Sequence, residues 1–129
     1  MAKLFYAFLI SVIFTLSAAA KEPTKLSSGA ELALALRSGM LTVVEFMTEG
    51  CHNCKAMEPV IKSISKKYAG KVNIITVDLG NDEKTATMYH IASVPVQLIF
   101  NKNGKEIKRH FGEMEEKDMV KIITSLITQ

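Results

Sequence analysis

Cysteine is scarce in this chain, and tryptophan is absent from it. Only two cysteines, Cys51 and Cys54, occur among 129 residues, so no disulfide within the chain can staple distant segments together. A zinc site with four protein ligands would need two further donors, and the softer candidates are few: His52, His90 and His110. The two cysteines therefore act as one local pair or not at all.

Concentrated positive charge is also missing. The formal net charge is +3, and lysine and glutamate are scattered along the chain. Nucleic acid is not expected as a partner, because the phosphate backbone demands a concentrated basic face. One short basic stretch alternates with Glu106 and Ile107 and is interpreted as a solvated strand face: Lys105, Lys108, Arg109 and His110.

The N-terminus has the order of features found in a secretory signal peptide. Lys3 precedes an apolar or small run over residues 4–16, and small residues follow up to Ala20. Ala18 and Ala20 fit the cleavage pattern, which predicts a signal peptide at residues 1–20, Lys21 as the mature start and an exported, periplasmic protein. An uncleaved membrane anchor is the alternative. The apolar run is shorter than the roughly 20 residues that span a bilayer, so cleavage is favoured.

The remaining residues, 21–129, have the pattern of one α/β domain. Hydrophobic residues make up 48% of the chain and charged residues 22%, which suits a globular protein rather than a disordered one. After a polar linker at residues 21–25, the periodicity predicts alternating helices and strands. Helices are predicted at residues 30–37, after Cys54, at 82–89 and at 115–127, and strands at 41–47, 72–77, 96–100 and 105–111. This order implies parallel pairing first and an antiparallel hairpin at the end.

The cysteine pair lies between the strand at 41–47 and the next helix, where open α/β sheets place reactive sites. At i and i+3 on a first helical turn, the two side chains are close enough to form a disulfide. The helix N-terminus would favour a Cys51 thiolate, which is the nucleophile in thiol–disulfide exchange. Cys54 lies one turn deeper, where a resolving thiol belongs.

Two other uses of the pair stay open on these grounds. A structural disulfide closing so small a loop would contribute only about 2 kcal/mol. Metal binding would need ligands beyond the pair, and His52 lies between the cysteines, where it is expected to point away from a shared metal. Haem attachment requires a histidine directly after the second cysteine, and Lys55 stands there. Thiol–disulfide exchange is the favoured interpretation.

The segment from Glu45 to Pro59, EFMTEGCHNCKAMEP, resembles the active-site region of thioredoxins. Val94-Pro95 resembles the cis-proline loop of that family, and residues 100–106, Phe111-Gly112 and the last amphipathic helix fit it as well. The resemblance extends from about residue 30 to the C-terminus. It implies a thioredoxin-like three-layer sandwich, with a central mixed sheet flanked by helices, and it implies no cofactor and no metal.

The resemblance also implies roles for individual residues. Cys51 would attack and Cys54 would resolve. Pro95 would be cis, and the backbone of Val94 would bind an extended client. Lys55 would add positive potential near the thiolate.

Glu45 is an unusual residue in an otherwise apolar strand. It matches the family's buried carboxylate, which is normally aspartate, and a buried carboxyl with a raised pKa would relay the proton of Cys54. The alternative is a glutamate that reaches solvent at the edge of the sheet.

The chain departs from the family at its docking surface and between the cysteines. Gly50 stands where the family usually has tryptophan, and His52-Asn53 replaces the usual Gly-Pro. A cationic His52 would stabilise the reduced form and make the protein more oxidising, whereas a neutral exposed one would do little. The expected activity is an extracytoplasmic protein-disulfide oxidoreductase, more reductive than oxidative; an oxidase or isomerase, or a metal- or client-binding module, is the alternative. The expected partners are client proteins and a membrane-bound redox donor, and the expected state is a monomer.

Overall fold

The computed structural model describes residues 21–129, which form five strands and four helices. The predicted signal peptide at residues 1–20 lies outside the described residues and stays a prediction. In chain order the elements are β1 Thr24–Leu26, α1 Gly29–Ala35, β2 Thr42–Met47, α2 His52–Lys67, β3 Asn73–Asp78, α3 Glu83–Met88, β4 Val96–Phe100, β5 Glu106–Phe111 and α4 Glu116–Ile127. Within residues 21–129, no helix has the length and apolar character needed to cross a bilayer.

The strands form one mixed sheet in the order β1-β3-β2-β4-β5. β1, β3 and β2 pair in parallel, and β4 and β5 are antiparallel to their neighbours. The hairpin between β4 and β5 turns at Asn101, whose side-chain oxygen accepts hydrogen bonds from the backbone N–H groups of Asn103 and Lys105. The predicted order of parallel strands followed by a closing hairpin is confirmed.

The predicted polar linker at residues 21–25 is wrong at its end, because β1 begins at Thr24. β1 pairs with β3 in parallel, with Thr24 opposite Ile75 and Leu26 opposite Val77. A three-residue strand is too short to show a period of two in its sequence. It forms because β3 offers it unpaired backbone groups at the edge of the sheet.

Apolar side chains cover both faces of the sheet, as the nearly continuous apolar run of β2 predicts. On one face α2 and α4 bury Val43, Ile64 and Ile123, and on the other α1 and α3 enclose Leu32 and Phe46. Burying one such side chain contributes about 1.5–3 kcal/mol. The three layers confirm the predicted thioredoxin-like sandwich.

Specific hydrogen bonds fix the ends of the helices. The Ser28 side chain caps α1 by accepting from the N–H of Glu31, and Asp82 caps α3 by accepting from the N–H of Thr85. The Thr85 hydroxyl also accepts from the N–H of Gly29 at 2.8 Å, which ties α1 to α3. A β-carbon on Gly29 would lie 2.7 Å from that oxygen, so the close contact of these helices requires glycine.

The prediction of a solvated basic face on β5 is wrong for Arg109. Its guanidinium donates to the carbonyl oxygens of Tyr89 at 2.8 Å and His90 at 3.0 Å, and it pairs with Glu106 at 2.7 Å. These contacts fasten the C-terminal end of α3 to β5. Lys105 and Lys108 are exposed, as expected.

Candidate active site

The cysteine pair lies where β2 gives way to α2, as the sequence predicts. β2 ends at Met47, and the chain turns through Gly50, whose φ of +78° lies in the left-handed region that favours glycine. Cys51 is the N-cap of α2, and its sulfur accepts a hydrogen bond from the N–H of Cys54 at 3.2 Å. The sulfur of Cys51 therefore accepts a hydrogen bond from one of the N–H groups at the start of α2 that have no partner within the helix.

Cys51 and Cys54 form a disulfide, with their Cα atoms 5.2 Å apart. Cys54 is 3% exposed, whereas Cys51 is half-buried at the surface. An incoming thiolate therefore reaches the sulfur of Cys51 more readily than that of Cys54. Once the bond is reduced, the N–H of Cys54 and the N-terminus of α2 favour the thiolate of Cys51 over its thiol.

The loop before β4 lies against this disulfide. The Val94-Pro95 bond is cis, as the family resemblance implies, and the carbonyl oxygen of Val94 lies 4.0 Å from the sulfur of Cys51. The carbonyl of Pro95 accepts from the N–H of Gly112 at 2.8 Å, which holds the loop against the end of β5. Tertiary structure thus brings Val94 and Pro95 to the cysteine pair.

Glu45 is buried in the middle of the sheet, at 2% exposure. Its strand β2 has β3 on one side and β4 on the other, so the alternative of a glutamate reaching solvent at a sheet edge is wrong. Burial raises the pKa of Glu45 from 4.5 to about 8, and the negative charge of Glu58 adds to the effect. One carboxyl oxygen, Oε1, is buried without a hydrogen-bond partner.

A partly open groove of about 590 Å³ joins the carboxyl to the buried cysteine. Glu45, Cys54, Lys55 and Glu58 all line it. A proton leaving Cys54 and a carboxyl able to take it up therefore face the same space. Lys55, on the first turn of α2, is exposed and lines the same groove, and its predicted effect on the Cys51 thiolate stays a prediction.

His52 is the first residue of α2 and is exposed. It lies beside Cys51 in the chain, but the structure gives its side chain no hydrogen bond. In residues 21–129, no group of three or more histidine, cysteine, aspartate or glutamate side chains is arranged to hold a metal ion. The described site thus consists of a disulfide, a loop and a buried carboxyl.

Sequence reasoning missed Gln97. This residue of β4 is 1% exposed, lies opposite Glu45 in the sheet and donates through Nε2 to the carbonyl of Gly112 at 3.2 Å. The available signal was one amide in the apolar strand Val96–Phe100. Its meaning depends on the strand that pairs with it, and no local pattern shows that.

Comparisons with known proteins agree with this geometry. The thioredoxin family model matches residues 26–125. The chain is 40% identical over 70 residues to thioredoxin C-2 of Corynebacterium nephridii, a match that covers 54% of this chain and 64% of that protein. It is 30% identical over 92 residues to the thioredoxin of Rickettsia typhi, covering 71% of this chain and 87% of that one.

Among solved structures, a mutant thioredoxin from Halobacterium salinarum superposes with a TM-score of 0.75 at 20% identity, covering 86% of this chain and 96% of that one. At that identity the likeness concerns the fold alone. The family match, by contrast, includes the strand, the cysteine pair and the loop that form the site. The chain therefore belongs to the thioredoxin family and is a thiol–disulfide oxidoreductase with Cys51 and Cys54 as its redox pair.

Proposed function

We propose that this protein reduces disulfides in client proteins outside the cytoplasm, with Cys51 attacking and Cys54 resolving. The observation that carries the proposal is the asymmetry of the pair: the sulfur of Cys51 is half-buried beside the Val94 carbonyl, while Cys54 is buried facing the groove of Glu45. The half-buried Cys51 is therefore more accessible to a client than the buried Cys54.

The reaction has two exchange steps. The Cys51 thiolate attacks one sulfur of the client disulfide, forming a mixed disulfide and releasing the other client sulfur as a thiolate. Cys54 then loses its proton and attacks the sulfur of Cys51, which releases the second client thiolate. The client gains two electrons, the protein ends as the Cys51–Cys54 disulfide, and the two client thiolates take up protons.

Glu45 supports the exchange reaction because the second step needs a base near Cys54, and the reverse of that step needs an acid there. A carboxylate in a shared groove would accept the Cys54 proton, and a pKa near 8 keeps the group able to take up and release protons near neutrality. Val94 would bind the client backbone through the cis-Pro95 loop. Lys55 would add positive potential beside the site.

The location and partners are part of the same proposal. The order of charge, apolar run and small residues up to Ala20 supports export and cleavage before Lys21. A membrane-bound donor would then regenerate the dithiol, because soluble reductant pools are cytosolic. We propose that the protein acts as a monomer on client proteins, with no nucleic acid, cofactor or metal.

Oxidation of client thiols or isomerisation of client disulfides is the second candidate, and His52 at the first residue of α2 favours the oxidising direction. Redox titration in glutathione or dithiothreitol buffers separates the candidates. A potential near the thioredoxin value of about −270 mV supports reduction, and one near about −120 mV supports oxidation.

Trapping experiments test the assigned roles. Cys54→Ser should accumulate mixed disulfides with clients, because nothing resolves the intermediate, and Cys51→Ser should accumulate none. The double variant is the matched control. If Cys51→Ser traps clients instead, the roles are reversed.

Mass spectrometry of the exported fraction should find Lys21 as the first residue, and intact Met1 in a membrane pellet would indicate an anchored protein.

A further inference from the structure

A row of polar residues crosses the sheet from edge to edge. In register, Lys25 of β1 lies opposite Thr76, Thr76 opposite Glu45, Glu45 opposite Gln97, and Gln97 opposite His110 of β5. Residues paired in this way project from the same face of a sheet. That face carries α2 and α4, and the adjacent paired positions Val43, Ile74 and Ile99 belong to the apolar core beneath those helices.

Two neighbours in this row each leave a side-chain oxygen unsatisfied. Within residues 21–129, Glu45 Oε1 and Gln97 Oε1 are the buried side-chain atoms without a hydrogen-bond partner. Directly opposed residues of antiparallel strands have Cβ atoms about 4.5–5.5 Å apart, so the two side chains are within reach of each other. An amide oxygen only accepts, and a carboxyl donates only when it holds its proton. A single proton on Glu45 would therefore give both unsatisfied oxygens a partner, because the neutral carboxyl can donate to the amide oxygen.

The nitrogen of the Gln97 amide is connected to the redox site through hydrogen bonds. Its Nε2 donates to the carbonyl of Gly112 at 3.2 Å, and the N–H of Gly112 donates to the carbonyl of Pro95 at 2.8 Å. The preceding carbonyl in the chain, that of Val94, lies 4.0 Å from the sulfur of Cys51. These contacts link the amide of Gln97, which lies opposite the buried carboxyl in the sheet, to the loop at the disulfide.

We propose that Gln97 is a positioning residue that couples the ionisation of Glu45 to the Val94-Pro95 loop. Its amide oxygen accepts a hydrogen bond from the neutral carboxyl of Glu45 while its amide nitrogen holds Gly112 and, through Gly112, Pro95. The use of this coupling in catalysis rests on the function proposed above, whereas the coupling itself does not.

When Glu45 loses its proton, the hydrogen-bonding group that it requires from Gln97 changes from an acceptor to a donor. An ionised Glu45 only accepts, so it opposes the amide oxygen and attracts the amide nitrogen. The amide then turns its nitrogen toward Glu45, and the hydrogen bond to Gly112 is lost. The support of the Pro95 loop therefore changes with the proton on Glu45, which is the proton that the resolving step moves.

Other charged groups surround the pair. The groove beside Glu45 is lined by Lys25, Glu49, Lys55, Glu58, Lys62 and Asp78. On the far side of Gln97, His110 Nε2 lies 3.0 Å from the carbonyl of Glu113. A pH-dependent change in the NMR signal of the Gln97 amide must therefore be assigned to Glu45 by substituting Glu45, because the midpoint alone does not identify the ionising group.

The test is a pH titration of the oxidised protein by carbon and nitrogen NMR. We expect the Glu45 carboxyl carbon, the Gln97 side-chain amide and the Gly112 carbonyl carbon to share one midpoint, near pH 8. Glu45→Gln should abolish the pH-dependent change in chemical shift at the Gln97 side-chain amide and at the Gly112 carbonyl carbon. Gln97→Leu should leave Glu45 titrating and flatten the response of Gly112. Gln97→Met, which keeps an unbranched side chain, serves if the leucine variant does not fold.

Thr76→Val is the matched control, because Thr76 flanks Glu45 on the opposite side and has no contact leading to Gly112. It should leave the shared midpoint of Gln97 and Gly112 intact. A Gln97 amide that stays flat across the Glu45 midpoint, or a Gly112 response that survives in both Gln97 variants, would overturn the proposal. Because the oxidised protein is titrated without turnover, failure to reduce clients would count against the proposed function alone.

Discussion

Replacing the buried carboxyl of Glu45 tests the electrostatics of the site through protein stability. Glu45→Gln keeps the size and shape of the side chain and removes its ionisation. In the folded protein, burial raises the pKa of this group from 4.5 to about 8, with Glu58 adding to the effect. In the unfolded chain the carboxyl returns to its ordinary value, so folding takes up a proton between these two pH values.

The sign and the size of the change in unfolding free energy with pH follow from the difference between the folded and unfolded pKa values of Glu45. Because the folded pKa is raised, the contribution to stability is fully present below pH 4.5 and is lost as pH rises through 8. At about 1.4 kcal/mol for each pH unit, the span from 4.5 to 8 corresponds to about 5 kcal/mol. Between pH 5 and pH 9 the unmodified protein should therefore lose about 4 kcal/mol that the variant keeps.

Urea unfolding of the oxidised proteins at pH 5, 7 and 9 measures this difference. The stability of Glu45→Gln relative to the unmodified protein should rise steadily with pH. Glu49→Gln is the matched control, because Glu49 lines the same groove but is exposed, and it should follow the unmodified protein. Parallel pH profiles for Glu45→Gln and the unmodified protein would refute the raised pKa.

Three further substitutions test the site and its framework. His52→Gly should make the reduction potential more negative, since a cationic His52 would stabilise the Cys51 thiolate; an unchanged potential in glutathione buffers would make His52 a bystander. Gly29→Ala should destabilise the fold by about 1–3 kcal/mol in urea, because the added carbon would lie 2.7 Å from Thr85 Oγ1, whereas Ala30→Gly at an exposed neighbouring position would lack that clash. Arg109→Met should cost about 1–2 kcal/mol by losing its bonds to α3, while Lys108→Met, on the opposite face, should cost little; equal losses would contradict the role of Arg109.

Local sequence predicted most of the elements closely. The strand at 96–100 is found with the predicted bounds, and the strand predicted at 41–47 begins one residue later, at Thr42. Such elements are readable because their apolar period and their capping residues lie within a few positions of each other. The exception is β1, which has no period of its own and forms only where β3 is already present.

The features of the site also separate into those that local sequence determines and those that depend on tertiary structure. Sequence alone determined that Cys51 and Cys54 lie at a strand–helix junction and that Glu45 is out of place in an apolar strand, because both are local facts. Tertiary structure decided that Gln97 lies opposite Glu45 and that Val94 lies against Cys51. Alternation along a strand specifies the face of each side chain but not its neighbour on the next strand. That neighbour is set by strand order and register, which residues far apart in the chain establish together.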